Sequence, residues 1–290
     1  MKNIVILTPV YNDWESFLKL INEIDKVLNN FKNINFKLIV VNDGSSQKSP
    51  QINIPKNFKS IEIINMKFNQ GHAICLAHGI RYALKNYNFD NLLLMDADGE
   101  DRPEEIKDLV VKAQDVKNTS IVAKRVKRSE GMFFQVLYQI HKILTLLFTG
   151  KLMNFGNFSI ITKEDALKIS NDPSLTSNYS GTLKKNIKNL GNINCTRGKR
   201  YYGPSKMPLI KLIIHSFSIM AVFKMDVFIR SALILVLLSY LQTYIGIYSS
   251  IFQVLLVFFN ILIYILSLQS SQNKLQNTSA NQNNVELITH

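Results

Sequence analysis

Apolar positions in the first two hundred residues come in short blocks separated by longer mixed stretches. Strand-like runs stand at Ile4–Leu7, Lys37–Val41, Ile61–Ile64, Leu92–Met95 and Ser120–Ala123. Helix-like segments lie between them, near residues 14–30, 72–86 and 104–115. This alternation predicts an open α/β, Rossmann-like sheet. The first run, close behind Met1, is too short for a signal peptide and reads as a strand.

The pattern changes beyond residue 230. From Ser231 to Asn273 there is no Asp, Glu, Lys, Arg or His, and as far as Leu268 the stretch is dominated by Leu, Ile, Val, Phe and Tyr. One helix of that length would be roughly 65 Å long, about twice a bilayer's hydrocarbon thickness, whereas two spans of roughly 18 residues fit. The expectation is a hairpin with spans near Ile229–Ile247 and Ser250–Leu268, turning at Gly246–Ser250, with Tyr240, Tyr244 and Tyr248 at the turn-side interface. The alternative, a buried hairpin in a soluble protein, fits less well because uncharged apolar runs this long are rare in soluble cores. Met132–Phe148 and Pro208–Phe223 carry wide apolar faces with Lys or His at intervals. The second leads into the hairpin and reads as a helix lying at the membrane surface, while the first is open between that and a core helix. Residues 269–290, rich in Asn, Gln and Ser, read as a disordered tail.

Composition sharpens this picture through charge. The 290 residues carry a formal charge of +13, yet mean hydropathy is +0.05. Residues 1–119 hold 15 basic and 15 acidic side chains, whereas 120–151 hold six and one and 184–230 hold ten and one. An excess confined to those two segments argues against a nucleic-acid partner and for anionic lipid or phosphate there. Lys211, Lys224 and Arg230 before the hairpin and Lys274 after it put both ends in the cytoplasm by the positive-inside rule. The expected location is a multi-pass protein of the plasma (inner) membrane. Cys75 and Cys195 are far apart and read as inert thiols, and the five histidines show no metal-ligand spacing.

Three polar clusters follow predicted strands: Thr8-Pro-Val-Tyr-Asn-Asp13, Asn42-Asp-Gly-Ser-Ser46 and Asp96-Ala-Asp-Gly-Glu-Asp101. In open α/β sheets ligands bind beyond the carboxyl ends of the strands, so three clusters at one edge make a nucleotide and metal site a better reading than three separate turns. Asp96 and Asp98 are spaced to approach one hard cation, with Glu100 on the same side if the alternation continues. Tyr11 offers a ring to stack on a base and Asp43 an acceptor for base or ribose. Asp13 is alternatively the cap of the helix that begins at Trp14.

Together with Asn69-Gln-Gly-His-Ala and Arg200-Tyr-Tyr-Gly-Pro-Ser-Lys206, these segments resemble, in order, the family 2 glycosyltransferases of GT-A fold. The likeness is greatest to polyprenyl-phosphate glycosyltransferases of the dolichyl-phosphate mannose synthase and bactoprenol glucosyltransferase type. The resemblance implies a GT-A nucleotide-sugar-binding domain over 1–205, a juxtamembrane interfacial helix over 206–226, a transmembrane hairpin over 227–268 and a tail over 269–290. It implies a hexosyl group passed, with inversion, from a UDP- or GDP-sugar to polyprenyl phosphate. The alternatives are another lipid or saccharide hydroxyl as acceptor, or a non-catalytic nucleotide-sugar-binding scaffold.

By the same resemblance, Pro9, Tyr11, Asp13 and Asp43 surround the nucleoside, and Asp96, Asp98 and Glu100 hold Mg²⁺ or Mn²⁺. Arg125 and Arg128 face the acceptor phosphate, and Arg200, Ser205 and Lys206 belong to a loop closing over the phosphates. Membrane lipids are expected partners, and a homo-oligomer is left open. One departure stands out: Asn154-Phe-Gly-Asn-Phe-Ser159 replaces an acidic Asp-x-Gly-Asp-Phe-Arg pattern. Asn157 cannot serve as a carboxylate base, which favours an acceptor that is already an oxyanion.

Overall fold

The computed structural model describes residues 1–127, 132–203 and 209–290. Arg128, Ser205 and Lys206 lie outside the described residues. In chain order the first half comprises β1 (Lys2–Val10), α1 (Trp14–Leu28), β2 (Ile34–Asn42), β3 (Phe58–Met66), α2 (His72–Asn86), β4 (Asn91–Leu94), α3 (Ile106–Asp115) and β5 (Ile121–Lys127). The predicted α/β alternation is therefore present element by element. Then follow α4 (Met132–Thr149), β6 (Phe155–Thr162), α5 (Lys163–Ser170), α6 (Tyr179–Asn186), β7 (Gly191–Thr196), α7 (Leu209–Val222), α8 (Lys224–Ile245), α9 (Ile247–Ser267), α10 (Gln272–Gln276) and β8 (Gln282–Ile288).

One mixed sheet has the order β7-β5-β6-β4-β1-β2-β3-β8. β4, β1, β2 and β3 run parallel, β6 is antiparallel to both β4 and β5, and β7 returns parallel to β5. The strands read as continuous apolar runs because both faces are covered. Ile4, Ile6, Leu38 and Val40 pack toward α1 and α3, and Val5, Leu7, Ile39 and Val41 toward α2. Pro9 sits in a central strand without costing a ladder bond to β4, since β4 pairs only with Ile4–Leu7. This parallel core aims the ends of β1, β2 and β4 at one edge.

α8 and α9 are long and apolar enough to cross a membrane. They pack as a hairpin around Gly246, whose φ of +55° lies in the left-handed region that Gly enters without a Cβ penalty. The turn and both helices coincide with the expected hairpin. α7 packs beneath them through Met220 and Ala221, which cluster with Val227, Ile263 and Leu266. α4 is not a core helix. Val136, Ile140, Ile143 and Leu147 form an exposed apolar stripe at helical spacing, while its end is tied to α8 by Arg230, whose Nη1 donates to the Leu147 carbonyl at 3.2 Å. α7 likewise exposes Ile210, Ile213 and Ile214. These faces suit a lipid surface.

The tail departs from expectation. Rather than being disordered, residues 272–288 form α10, a short turn and β8, which runs antiparallel to β3 from Ile61↔Ile288 to Met66↔Gln282. Composition misleads here because a ladder needs backbone groups rather than apolar side chains, and β3 would otherwise be an open edge. Four anchors hold the segment: Leu275 and Thr278 are buried, and Val285 and Ile288 pack against the two faces of the sheet. The hairpin is thus flanked on both sides by parts of one sheet, so both of its ends lie on the same side of any membrane it crosses.

Candidate active site

The three polar clusters meet at the carboxyl edge of the sheet. Asp43 follows β2, is 4% exposed, and accepts hydrogen bonds from the backbone N–H groups of Gln70 (2.6 Å) and Gly71 (3.0 Å). Burial pushes its carboxyl up, opposed by those two donors. The loop is locked by Gly44, at φ +63°. A Cβ there would lie 2.4 Å from the Phe68 carbonyl carbon, so only Gly allows the two loops to touch. Tyr11, which follows β1 at the same edge, is 43% exposed.

After β4 the acidic loop holds four carboxylates within a short span. Asp96 Oδ1 lies 3.3 Å from His72 Nε2 and accepts from Asn157 Nδ2 at 3.3 Å, while Asn157 Nδ2 and His72 Nε2 are 2.8 Å apart. Burial disfavours the Asp96 carboxylate, yet His72, Arg125, Asn157 and Arg197 together outweigh it and hold the group below its ordinary range. Asp98 is the opposite case, pushed up to about 6 by burial and then by Asp96 and Glu100. Its Oδ2 receives Arg200 Nη1 at 2.9 Å, and Arg200 also pairs with Asp13 through Nη2. Asp13 marks the start of α1 but makes no side-chain cap, because its carboxylate is turned to this arginine. Residues 198–201 lie along the acidic loop, with Gly198 N donating to the Glu100 carbonyl (2.8 Å) and Tyr201 N to the Asp98 carbonyl (2.9 Å). Gly99, at φ +87°, leaves room for the Tyr201 ring.

Glu100 does not join Asp96 and Asp98. Strand alternation stops at Leu94, Gly99 reverses the backbone, and the Glu100 carboxylate pairs with Arg197 instead. Among the described residues no three His, Cys, Asp or Glu side chains converge as a ready cation site. The chemistry of the remaining pair still suits a hard dication. Asp96 and Asp98 repel each other enough to raise Asp98, and Mg²⁺-type sites use one or two carboxylates completed by water and substrate phosphate. Arg125 lies over Asp101, with Nη2 3.8 Å from Oδ1.

Asp101, named in the acidic cluster of the sequence but given no role there, is a structural acid. Its Oδ2 accepts from Asp96 N at 3.0 Å, and burial followed by the Asp96 charge pushes it up to about 7. In the folded protein it keeps a proton that the unfolded chain releases near its ordinary value of 3.8. Stability therefore falls as pH rises toward 7 and levels off above that. In ligand-free, chelator-treated protein, the melting temperature should drop between about pH 4 and 7 in the wild type and drop less in Asp101→Asn. Equal slopes in the two proteins would refute this. His72, Asn157 and Arg197 also belong to the site. Of these, His72 lies inside Asn69-Gln-Gly-His-Ala and Asn157 inside Asn154-Phe-Gly-Asn-Phe-Ser159, whereas Arg197 belongs to no motif of the sequence.

Residues 5–190 match the model of the glycosyl transferase family 2. The chain is 27% identical over 231 residues to an undecaprenyl-phosphate 4-deoxy-4-formamido-L-arabinose transferase of Photorhabdus laumondii, covering 73% of this chain and 65% of that one. It is 30% identical over 132 residues to an uncharacterized glycosyltransferase, YkcC, of Bacillus subtilis, covering 45% and 39%. The chain thus spans less than two thirds of the length of these relatives. Among solved structures it is similar to glucosyl-3-phosphoglycerate synthase from Mycobacterium tuberculosis, crystallised with Mn²⁺, UDP-glucose and phosphoglyceric acid. The TM-score is 0.53 at 14% identity, over 78% of this chain and 80% of that one. That likeness is one of fold.

Proposed function

The chain belongs to glycosyl transferase family 2, and from that premise we propose that it moves a hexosyl group from a UDP- or GDP-sugar to polyprenyl phosphate at the cytoplasmic face of the plasma membrane. The observation that carries the acceptor assignment is Asn157, a neutral amide bonded to Asp96 where a carboxylate base would be needed for a hydroxyl. A phosphate monoester, with a second pKa near 6, is already mostly an oxyanion at neutral pH and needs no base. The undecaprenyl-phosphate relatives and the apolar faces of α4, α7 and the hairpin support the same reading. The basic segments before the hairpin support a cytoplasmic sheet by the positive-inside rule.

Pro9, Tyr11 and Asp43 take the nucleoside, with Tyr11 stacking on the base and Asp43 accepting from base or ribose. Asp96 and Asp98 hold Mg²⁺ or Mn²⁺, which when bound neutralises charge growing on the leaving diphosphate. Arg200, now shared by Asp13 and Asp98, is free to turn to the donor phosphates once Asp98 has another partner. By the family resemblance, Ser205 and Lys206 act with it on the phosphates. Arg125 and Arg128 orient the acceptor phosphate for in-line attack on the anomeric carbon, with inversion. The catalytic unit comprises the sheet domain completed by β8, anchored through α7, which ends at Val222 rather than running to residue 226, and through the hairpin of α8 and α9.

Membranes containing the protein, given labelled UDP-glucose or GDP-mannose, polyprenyl phosphate and Mn²⁺, should form a lipid-linked sugar, and a chelator should stop it. No such product from any donor, in a protein that binds nucleotide, overturns the proposal.

One observation favours a second reading. His72, within 3.3 Å of Asp96 and beside Asn157, offers an imidazole that can take a proton from a hydroxyl acceptor. His72→Gln separates the two readings. With polyprenyl phosphate as acceptor the rate should fall less than about tenfold, whereas loss of a general base costs about 10²–10⁴-fold. Initial rates with the lipid acceptor decide between them.

A further inference from the structure

Two chains of side-chain hydrogen bonds start on the segment that follows the hairpin and end in the loops around Asp43. In the first, the Asn281 carbonyl accepts from Lys67 N (2.8 Å) and Asn281 Nδ2 donates to Gln70 Oε1 (3.0 Å). Gln70 and the adjacent Gly71 supply the two N–H groups that hold the Asp43 carboxylate. In the second, Glu286 Oε1 accepts from Asn65 Nδ2 (2.7 Å), and Asn65 Oδ1 accepts from Asn42 Nδ2 (2.8 Å). Asn42 Oδ1 accepts from Ser45 N (3.1 Å), whose Oγ accepts from Asn12 N (2.9 Å). A third bond, between Gln282 Oε1 and His78 Nε2 at 3.0 Å, pins the start of β8 to buried α2.

We propose that β8 and the residue before it are a positioning element of the donor site, with Asn281 and Glu286 as positioning residues that hold the loops around Asp43 in their nucleotide-binding form. The proposal rests on the reading of that edge as the donor site. Neither residue reaches the edge itself, and each acts through a partner whose backbone or side chain does. Gly44 against Phe68 makes the two loops one body, so loosening either is felt by both. Rotational freedom returned to Gln70 and Asn42 is a cost that nucleotide binding must then meet, and it appears in donor affinity rather than in the chemical step.

The test uses the full chain in lipid nanodiscs, comparing wild type with Asn281→Ala, Glu286→Ala, the double variant and Glu286→Gln, which keeps an oxygen to accept from Asn65. UDP and GDP are the titrants, and amide exchange is followed at Gln70, Gly71 and Ser45. The double variant should bind the preferred nucleotide about 3–10-fold more weakly and raise donor KM alike, with kcat and acceptor KM unchanged. Exchange at the three amides should quicken, and Glu286→Gln should behave as wild type. Unchanged nucleotide affinity, unchanged exchange at Gln70 and Gly71, or a change in acceptor KM instead of donor KM each overturns the proposal. Wild-type protein that binds neither nucleotide, while exchange still responds to the variants, overturns the donor reading and with it the claim on affinity.

Discussion

Asp98→Asn should lower the rate of sugar transfer by about 10²–10³-fold, the cost of removing one electrostatic stabiliser of a developing charge, and should at the same time raise the melting temperature of the ligand-free protein. Both effects come from one carboxylate. Burial and the neighbouring Asp96 and Glu100 push Asp98 up to about 6, so its charge is held at a cost that the Glu100 N–H and Arg200 offset only in part. An amide of the same shape removes that repulsion and keeps one acceptor oxygen, which can serve Glu100 N, now on Oδ1 at 3.0 Å, while Arg200 retains Asp13 as its partner. Stability given up for function in this way is expected at a catalytic carboxylate and has no place in a scaffold. Product formation and thermal melting on the same preparation check it. Transfer above a tenth of the wild-type rate, or a lower melting temperature, would show that Asp98 is a structural acid.

Asp43→Ala should be the most damaging change on the nucleoside side, raising donor KM by about 10–100-fold, as expected when about 1.4–3 kcal/mol of binding is lost. The side chain is almost fully buried and is the acceptor for two backbone donors, Gln70 N and Gly71 N. Each orphaned donor costs about 1–3 kcal/mol where water cannot reach, partly offset because a buried carboxylate is itself unfavourable. The loop from Lys67 to Gly71 should therefore loosen as well as lose its ligand contact. Asp43→Asn retains one acceptor oxygen and should fall between. Donor and acceptor KM measured separately test this, and an acceptor effect of equal size would remove Asp43 from the donor site.

Much of this fold was legible because its signals are local. The apolar runs at Ile4–Leu7 and Leu92–Met95 are strands because they are buried on both faces, and the uncharged stretch beyond Ser231 is two helices because one would be too long. β6 and β7 were not predicted. β6 lies where the Asn154–Ser159 motif drew attention to its chemistry, and the first half of β7 is only partly buried, so neither shows a strong apolar run. β8 was missed for a different reason, since the ladder it forms is made by a backbone that composition does not describe.

The acidic cluster does follow a strand, β4, as its sequence pattern suggests, but its internal partners were not foreseen. Glu100 was placed by an alternation that ends at Leu94, and its true partner Arg197 is 97 positions away. His72 and Asn157 meet from elements 85 positions apart. Pairings of that kind follow from sheet order, which the sequence implies only once β6 is known to lie beside β4.

β8 also imposes an order on events. Its partner β3 is complete by Met66, but the ribosome must make both apolar helices before Gln282 exists. The sheet therefore waits, one edge unfinished, until the hairpin has left the translation machinery and both its ends have returned to the side where β3 is held. A hairpin inserted only half-way would leave β8 on the wrong side of the lipid and the loops around Asp43 without their support. If the hairpin crosses a membrane, the sheet can close only when both ends of that hairpin lie on one side of it.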